Sequence, residues 1–144
     1  METDELENYK RLLKLALKDK WLGINAVTTD ANQLVWIRHD GKPVGFFTPK
    51  LESDGRYRTG TIFIEPKFRG KGLASNTVKA YFDDGDKSGR AWIEPTNHAS
   101  QSIYKRAGFY KSGRITHSKT TSRMFEEWVN KPYPPLSMLR SLGW

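Results

Sequence analysis

The sequence predicts an α+β domain in which a mixed, mostly antiparallel sheet is flanked by helices. Three observations carry this reading. Asp-Gly pairs at Asp40-Gly41 and Asp54-Gly55 separate short runs rich in β-branched and aromatic residues, as antiparallel hairpins require. Apolar residues at helical spacing open the chain and recur between strands in its middle. A strand, helix, strand order over 57–94 makes those two strands parallel neighbours by the right-handed crossover rule. The length of 144 residues suits one domain with a real core, taken as 1–129 and followed by a Pro-rich tail, 130–144.

In chain order, 4–20 reads as a helix because Leu6, Tyr9, Leu12, Leu13, Ala16 and Leu17 fall on one face. Asp4 with Glu7 can cap it, and lysines enrich its last turns, where the dipole favours them. Strands at 33–38 and 44–49 are joined by His39-Asp40-Gly41-Lys42, and a second turn, Ser53 to Arg56, leads into a strand at 57–65. The three make an antiparallel meander. A Gly-rich loop follows, then a helix at 73–82 with Leu73, Thr77, Val78 and Tyr81 along one stripe, ended by Asp83-Asp84-Gly85-Asp86. A short strand at 90–94 precedes a helix at 99–107 that Gly108 closes as a C-cap. A hairpin of strands at 109–113 and 120–128 completes the domain.

Composition removes several classes of function. With no cysteine there is no disulfide, thiolate nucleophile or cysteine-bearing zinc site, and His39, His98 and His117 lack metal-ligand spacing, so no metal is expected. Asp83, Asp84 and Asp86 read as a solvated turn. No apolar run approaches 18 residues and no leader-like segment opens the chain, so the expectation is a cytoplasmic protein that does not enter the membrane. The formal charge is +8, and from Asn97 onward eight basic residues face only Glu126 and Glu127. That basic last third suits a polyanionic ligand, an acidic partner or nucleic acid.

The most informative segment is Arg69-Gly70-Lys71-Gly72-Leu73-Ala74, between strand and helix. Glycines let the backbone bring N–H groups close to an anion, the following helix points its positive end there, and Arg69 and Lys71 add charge. Downstream lies Ile93-Glu94-Pro95-Thr96-Asn97-His98-Ala99-Ser100-Gln101-Ser102-Ile103-Tyr104-Lys105-Arg106-Ala107-Gly108-Phe109. Together the two resemble the GNAT superfamily of acyl-CoA N-acyltransferases over about residues 33–128. Its phosphate-loop pattern of Arg or Gln, two residues, Gly, one residue, Gly or Ala is met by Arg69, Gly72 and Ala74. Its later pattern is met by Asn97, Ser100, Tyr104 and Gly108-Phe109.

The resemblance implies a GNAT-like fold whose two central parallel strands splay apart, and acetyl-CoA as cosubstrate. Backbone amides of Arg69, Gly70, Lys71, Gly72, Leu73 and Ala74 would then hold the pyrophosphate, and the edge of 62–65 would pair with pantetheine. An N–H of Phe63 or Ile64 would act on the thioester carbonyl. Tyr104 matches the tyrosine that protonates the leaving thiolate, Ser100 lies one helical turn earlier as a second candidate acid, and Asn97 fixes the loop and touches pantetheine. Glu94 and Glu65, ending the two parallel strands, are the candidate bases, since Trp92 stands where many relatives carry a catalytic Glu.

Two further departures are the missing strand before the first helix and the tail itself, which is expected to dock on its own molecule or form a homodimer contact. The acceptor is an amine of a protein, peptide or small molecule. The alternatives are acylation of a nucleic-acid amine and a non-catalytic module that binds CoA and a partner. The acyl group is acetyl or larger.

Overall fold

The computed structural model describes residues 3–18 and 34–133. Helix α1 (Thr3–Lys18) comes first, then β1 (Val35–His39), β2 (Lys42–Phe47), β3 (Lys50–Leu51), β4 (Tyr57–Arg58) and β5 (Ile62–Ile64). A 3-10 turn (Pro66–Phe68) leads to α2 (Leu73–Asp83), β6 (Gly89–Ile93), α3 (His98–Arg106), β7 (Tyr110–His117) and β8 (Met124–Val129). The strands form two sheets, ordered β1-β2-β5 and β3-β4-β6-β8-β7, with β4 and β6 the parallel pair. Expectations for 19–33 and 134–144 lie outside the described residues: the last turn of the first helix, the start of the first strand at Gln33, and the docking or dimer role of the tail.

The first hairpin turns where Asp40 and Gly41 adopt φ 50° and 77°, the two positive values that a type I′ turn needs. The single strand expected over 57–65 is divided instead. Tyr57 and Thr59 donate their N–H groups to Ser88 and Arg90 beside β6, at 2.8 and 2.9 Å. At Gly60, with φ 66°, the chain bulges and the pairing changes phase. Beyond it, Thr48 N–H donates to Thr61 O, Thr61 N–H donates to Thr48 Oγ1, and Glu65 N–H donates to Val44 O, all between 2.8 and 3.0 Å. The strand that began as a neighbour of β6 thus continues as a neighbour of β2, and β5 and β6 part.

Side chains sort to the two faces. Ile62 and Ile64 join Val78, Phe82, Ala91, Ile93, Tyr104 and Trp128 in the core under α2 and α3. Phe63 and Phe46 point the other way, where Tyr9 and Leu12 of α1 bury against them. Helix α2 presents Ala74, Ser75, Val78 and Phe82 to the core, a stripe rotated from the expected one; Tyr81 is half-buried and meets Phe47 and Phe82 edge-on. The final hairpin also differs. Strand β7 continues through Gly113 to His117, because a register shift between Lys111 and Ile115 absorbs the glycine.

Candidate active site

The split between β5 and β6 leaves an opening inside the sheet, and backbone phase decides what faces it. In an antiparallel ladder alternate residues bond to the neighbour. Thr61 and Glu65 bond to the β2 side, so Phe63, in register with Phe46, does the same. Ile64 has the opposite phase and directs its N–H into the opening. Of the two donors expected there, Ile64 has the phase that faces the opening and Phe63 the phase that faces β2.

At the wide end of the opening the chain turns through Pro66–Phe68 into the glycine loop. Gly70 and Gly72 take φ 77° and 78°, and Gly72 is the N-cap of α2. No side chain caps this helix, whose first backbone bond runs from Asn76 N–H to Gly72 O at 3.0 Å. The N–H groups of Leu73, Ala74 and Ser75 consequently point out of the helix end, where a positive dipole adds to them. A cavity of about 260 Å³ lies against this end. Its walls are Ile64, the loop residues Arg69, Gly70 and Gly72, the first turn of α2, and Ala99, Ser102, Ile103 and Arg106 of α3.

The loop cations sit differently from expectation. Arg69 folds back, its Nε donating to Ile64 O at 2.9 Å and its guanidinium 5.6 Å from the centre of the Phe63 ring. Lys71 lies 5.8 Å from the centre of the Phe68 ring and is not part of the cavity wall. Arg106 is the cavity-lining cation that the sequence reading missed; the signal was available in the spacing of Ala99, Ser102, Ile103 and Arg106 on one side of α3.

Asn97 caps α3, its side-chain oxygen accepting from Ser100 N–H at 3.1 Å. Ser100 and Tyr104, one turn apart, are the buried residues of that helix. Tyr104 is 2% exposed and packs on Phe109, with ring centres 5.4 Å apart. Burial pushes its phenol up to about 12, opposed in part by a hydrogen bond with the Thr59 side chain. Thr59 is also the last residue bonded to β6 before the bulge, so Tyr104 sits at the point where the strands begin to part.

Both candidate bases stand at the wide end of the opening and both are ion-paired. Glu65, 7% exposed, pairs with Arg11 of α1. Glu94 pairs with Arg123 at the start of β8. Strand alternation places each on the face opposite α2 and α3. In the basic hairpin Lys111 pairs with Glu126, Arg123 pairs with Glu94 beyond the end of β6, and Arg114 lies over the Tyr133 ring. Among the described residues no group of three His, Asp or Glu is placed to hold a metal ion, and no helix is long and apolar enough to cross a membrane.

Sequence reading also missed a buried ionic cluster on that opposite face. Arg90 donates to Glu127 at 2.5 Å, Glu52 at 2.9 Å, Asp54 at 2.5 Å and the Tyr133 hydroxyl at 2.8 Å. Glu127, fully buried, accepts in addition from Ser112 at 2.6 Å and Tyr133 at 2.7 Å. Arg90 and Glu127 alternate along their strands like ordinary solvated residues, Glu52 and Asp54 come from a turn, and only the tertiary pairing reveals that Arg90 and Glu127 are inside.

Comparison with known proteins adds to this geometry. The profile of the acetyltransferase (GNAT) family matches residues 2–109. An uncharacterized N-acetyltransferase of Methanocaldococcus jannaschii is 30% identical over 80 residues, an alignment covering 49% of this chain and 35% of that protein. The chain thus spans about a third of the length of the curated relative it matches. Among solved structures, a Bacteroides thetaiotaomicron protein described as an acetyltransferase from the GNAT family superposes with a TM-score of 0.64 at 17% identity, covering 99% of this chain and 90% of that one. A Bacillus anthracis protein described as a streptothricin acetyltransferase, in complex with acetyl coenzyme A, has a TM-score of 0.53 at 16% identity over 63% of this chain and 57% of its own. At these identities the structures establish the shared fold.

Proposed function

The chain belongs to the acetyltransferase (GNAT) family, and from that premise we propose that it is an N-acetyltransferase moving an acetyl group from acetyl-CoA directly to an amine. The observation that carries the proposal is the division of one strand at Gly60, which opens the sheet beside an uncapped helix end and a cavity. The pyrophosphate is read as lying on the N–H groups of Gly70, Lys71, Gly72, Leu73 and Ala74, with Arg69 bracing the loop. Pantetheine then runs along the β5 edge, past Asn97 and Ser100, and the Ile64 N–H is the donor for the thioester oxygen. One such donor contributes about 3 kcal/mol to transition-state stabilisation.

Tyr104 is the proposed acid. A phenol pushed up to about 12 keeps its proton at neutral pH. An ordinary thiol, near 8.5, would be the stronger acid. The role therefore requires that the departing thiolate be desolvated between the strands, which raises its proton affinity too. Ser100 is the second candidate acid, on the same buried face. The amine is read as approaching from the face of α1, where Glu94 is the proposed base and Glu65 its competitor. Base help matters most for a lysine amine, of which about one molecule in 2,500 is neutral at pH 7.

A steady-state assay of CoA release with peptide and small-molecule amine panels tests the proposal. Turnover that falls in Tyr104→Phe without loss of acetyl-CoA binding supports it. Binding of acetyl-CoA with no transfer to any amine would instead make the chain a binding module.

A further inference from the structure

A second cavity, of about 570 Å³, lies on the other side of the strand end that borders the cofactor cavity. Ile64 lines the first and Glu65 the second, and Phe68 is common to both. The walls of the second come from α1, from the turn of the first hairpin and from the segment between β5 and the glycine loop. It therefore opens on the face from which the amine is read as approaching, and its volume is that of a small-molecule site. The charges on its walls do not cancel. Arg11, Lys42 and Lys67 stand against Glu65 and Asp40. Glu65 is already held by Arg11, which also donates to Pro43 O at 3.2 Å, and Asp40 lies 3.4 Å from Nε2 of His39. Among the described residues no hydrogen bond or ion pair holds the side chain of Lys42 or Lys67, and the Lys67 ammonium lies 5.3 Å from the centre of the Phe68 ring. Two lysines from separate elements thus converge on one cavity whose acids are paired. Each is a point charge with three donors, suited to a carboxylate or a phosphate. A polycationic amine would meet like charge here, whereas an amine that also carries an anion would be held by that end. We propose that this cavity selects the acceptor, taking a small amine that bears a carboxylate or phosphate and seating that group on Lys42 and Lys67. The inference rests on the reading of the chain as an acetyltransferase, and either glutamate can still serve the amine.

β-Alanine and O-phosphoethanolamine, as carboxylate and phosphate probes, are compared as acetyl acceptors with the uncharged-end β-alaninamide and the dication putrescine. The expected kcat/KM for an anionic probe is about tenfold above that for β-alaninamide, with putrescine lowest. Lys42→Ala and Lys67→Ala should each lower that ratio by about threefold, within the range of one exposed ion pair, and together by about tenfold. Lys79→Ala removes a lysine that pairs with Asp83 on α2, outside the cavity wall, and should keep the parent ratio. Preference for one anionic probe over the other supports the proposal and names the group the cavity takes. Calorimetric titration of both anionic probes into the CoA-saturated chain reads the site without turnover. Binding that weakens in the lysine variants supports the site even where no acetyl group moves, a result that removes the transfer reading alone. Equal or better use of β-alaninamide or putrescine overturns the proposal and leaves acetyl transfer standing, as does an unchanged ratio in both lysine variants. Neither turnover nor binding of either anionic probe overturns it too.

Discussion

Gly60 lies so close to Thr48 that a Cβ added to it would stand 2.3 Å from the Thr48 carbonyl oxygen and 2.7 Å from its hydroxyl. This contact is where the sheet opens. The positive φ of Gly60 lets the strand change partners, and Thr48 makes the rerouted bonds, its N–H donating to Thr61 O and its hydroxyl oxygen accepting from Thr61 N–H.

Gly60→Ala therefore meets a backbone clash and a left-handed strain together. The expected loss is about 2 kcal/mol, in the range for overpacking a tight site, read as a lowered midpoint in urea. Thr48→Val should cost about 1 to 2 kcal/mol by removing the acceptor of the Thr61 N–H. Parent-like stability in Gly60→Ala would mean that the bulge relaxes freely, and the strand division would lose its explanation.

The Arg90 cluster makes a separate prediction. Glu127→Ala leaves a buried guanidinium short of a partner and is expected to cost about 3 kcal/mol, measured by denaturant unfolding. Glu127→Gln, which keeps the shape, should cost less.

The same cluster gives stability a pH dependence. Burial pushes the Glu127 carboxyl up, but Ser112, Tyr133 and Arg90 outweigh it and the net shift is down; the Arg90 hydrogen bond leads the lowering at Asp54. Carboxyls lowered in the folded state contribute stability above their unfolded values, and that stability is lost as pH falls through the folded ones. Unfolding midpoints should stay level above about pH 5 and drop steeply below about pH 4. Replacing Glu127 with Gln should flatten that drop, and an unaltered acid limb would contradict the assignment.

Tyr104→Phe is expected to lower kcat by about 100-fold or more, as loss of a general acid does, with acetyl-CoA affinity within about twofold of the parent. Because the phenol is pushed up to about 12, its deprotonation should produce no alkaline fall in rate below about pH 10. A fall near pH 8 that disappears in Tyr104→Phe would show that the hydroxyl titrates far below its buried value.

Much of this fold was legible because local chemistry and tertiary structure agree in it. Asp40-Gly41 turns and Gly72 opens a helix, each for a reason contained in a few neighbouring residues. The division at Gly60 was not legible, since Thr59, Thr61 and Phe63 read as one continuous strand and only the pairing partners show the change of phase. Nor was the placement of Arg69 and Arg106. A loop arginine beside glycines reads as a phosphate ligand, whereas its fold-back depends on Ile64 and Phe63 across the turn. Glu94 and Glu65 were located at the wide end of the opening, but their arginine partners come from distant elements, α1 and the start of β8.

The most direct test of the account is calorimetric titration of acetyl-CoA into the parent chain, Gly72→Glu and Gly72→Asn, with circular dichroism to establish folding. Asn tolerates the φ of 78° at this position, whereas Glu adds a negative charge at the helix end. Expected are binding by the parent, binding retained within about tenfold in Gly72→Asn, and no detectable binding in folded Gly72→Glu. Equal affinity in Gly72→Glu, or no binding by the parent, would contradict the account.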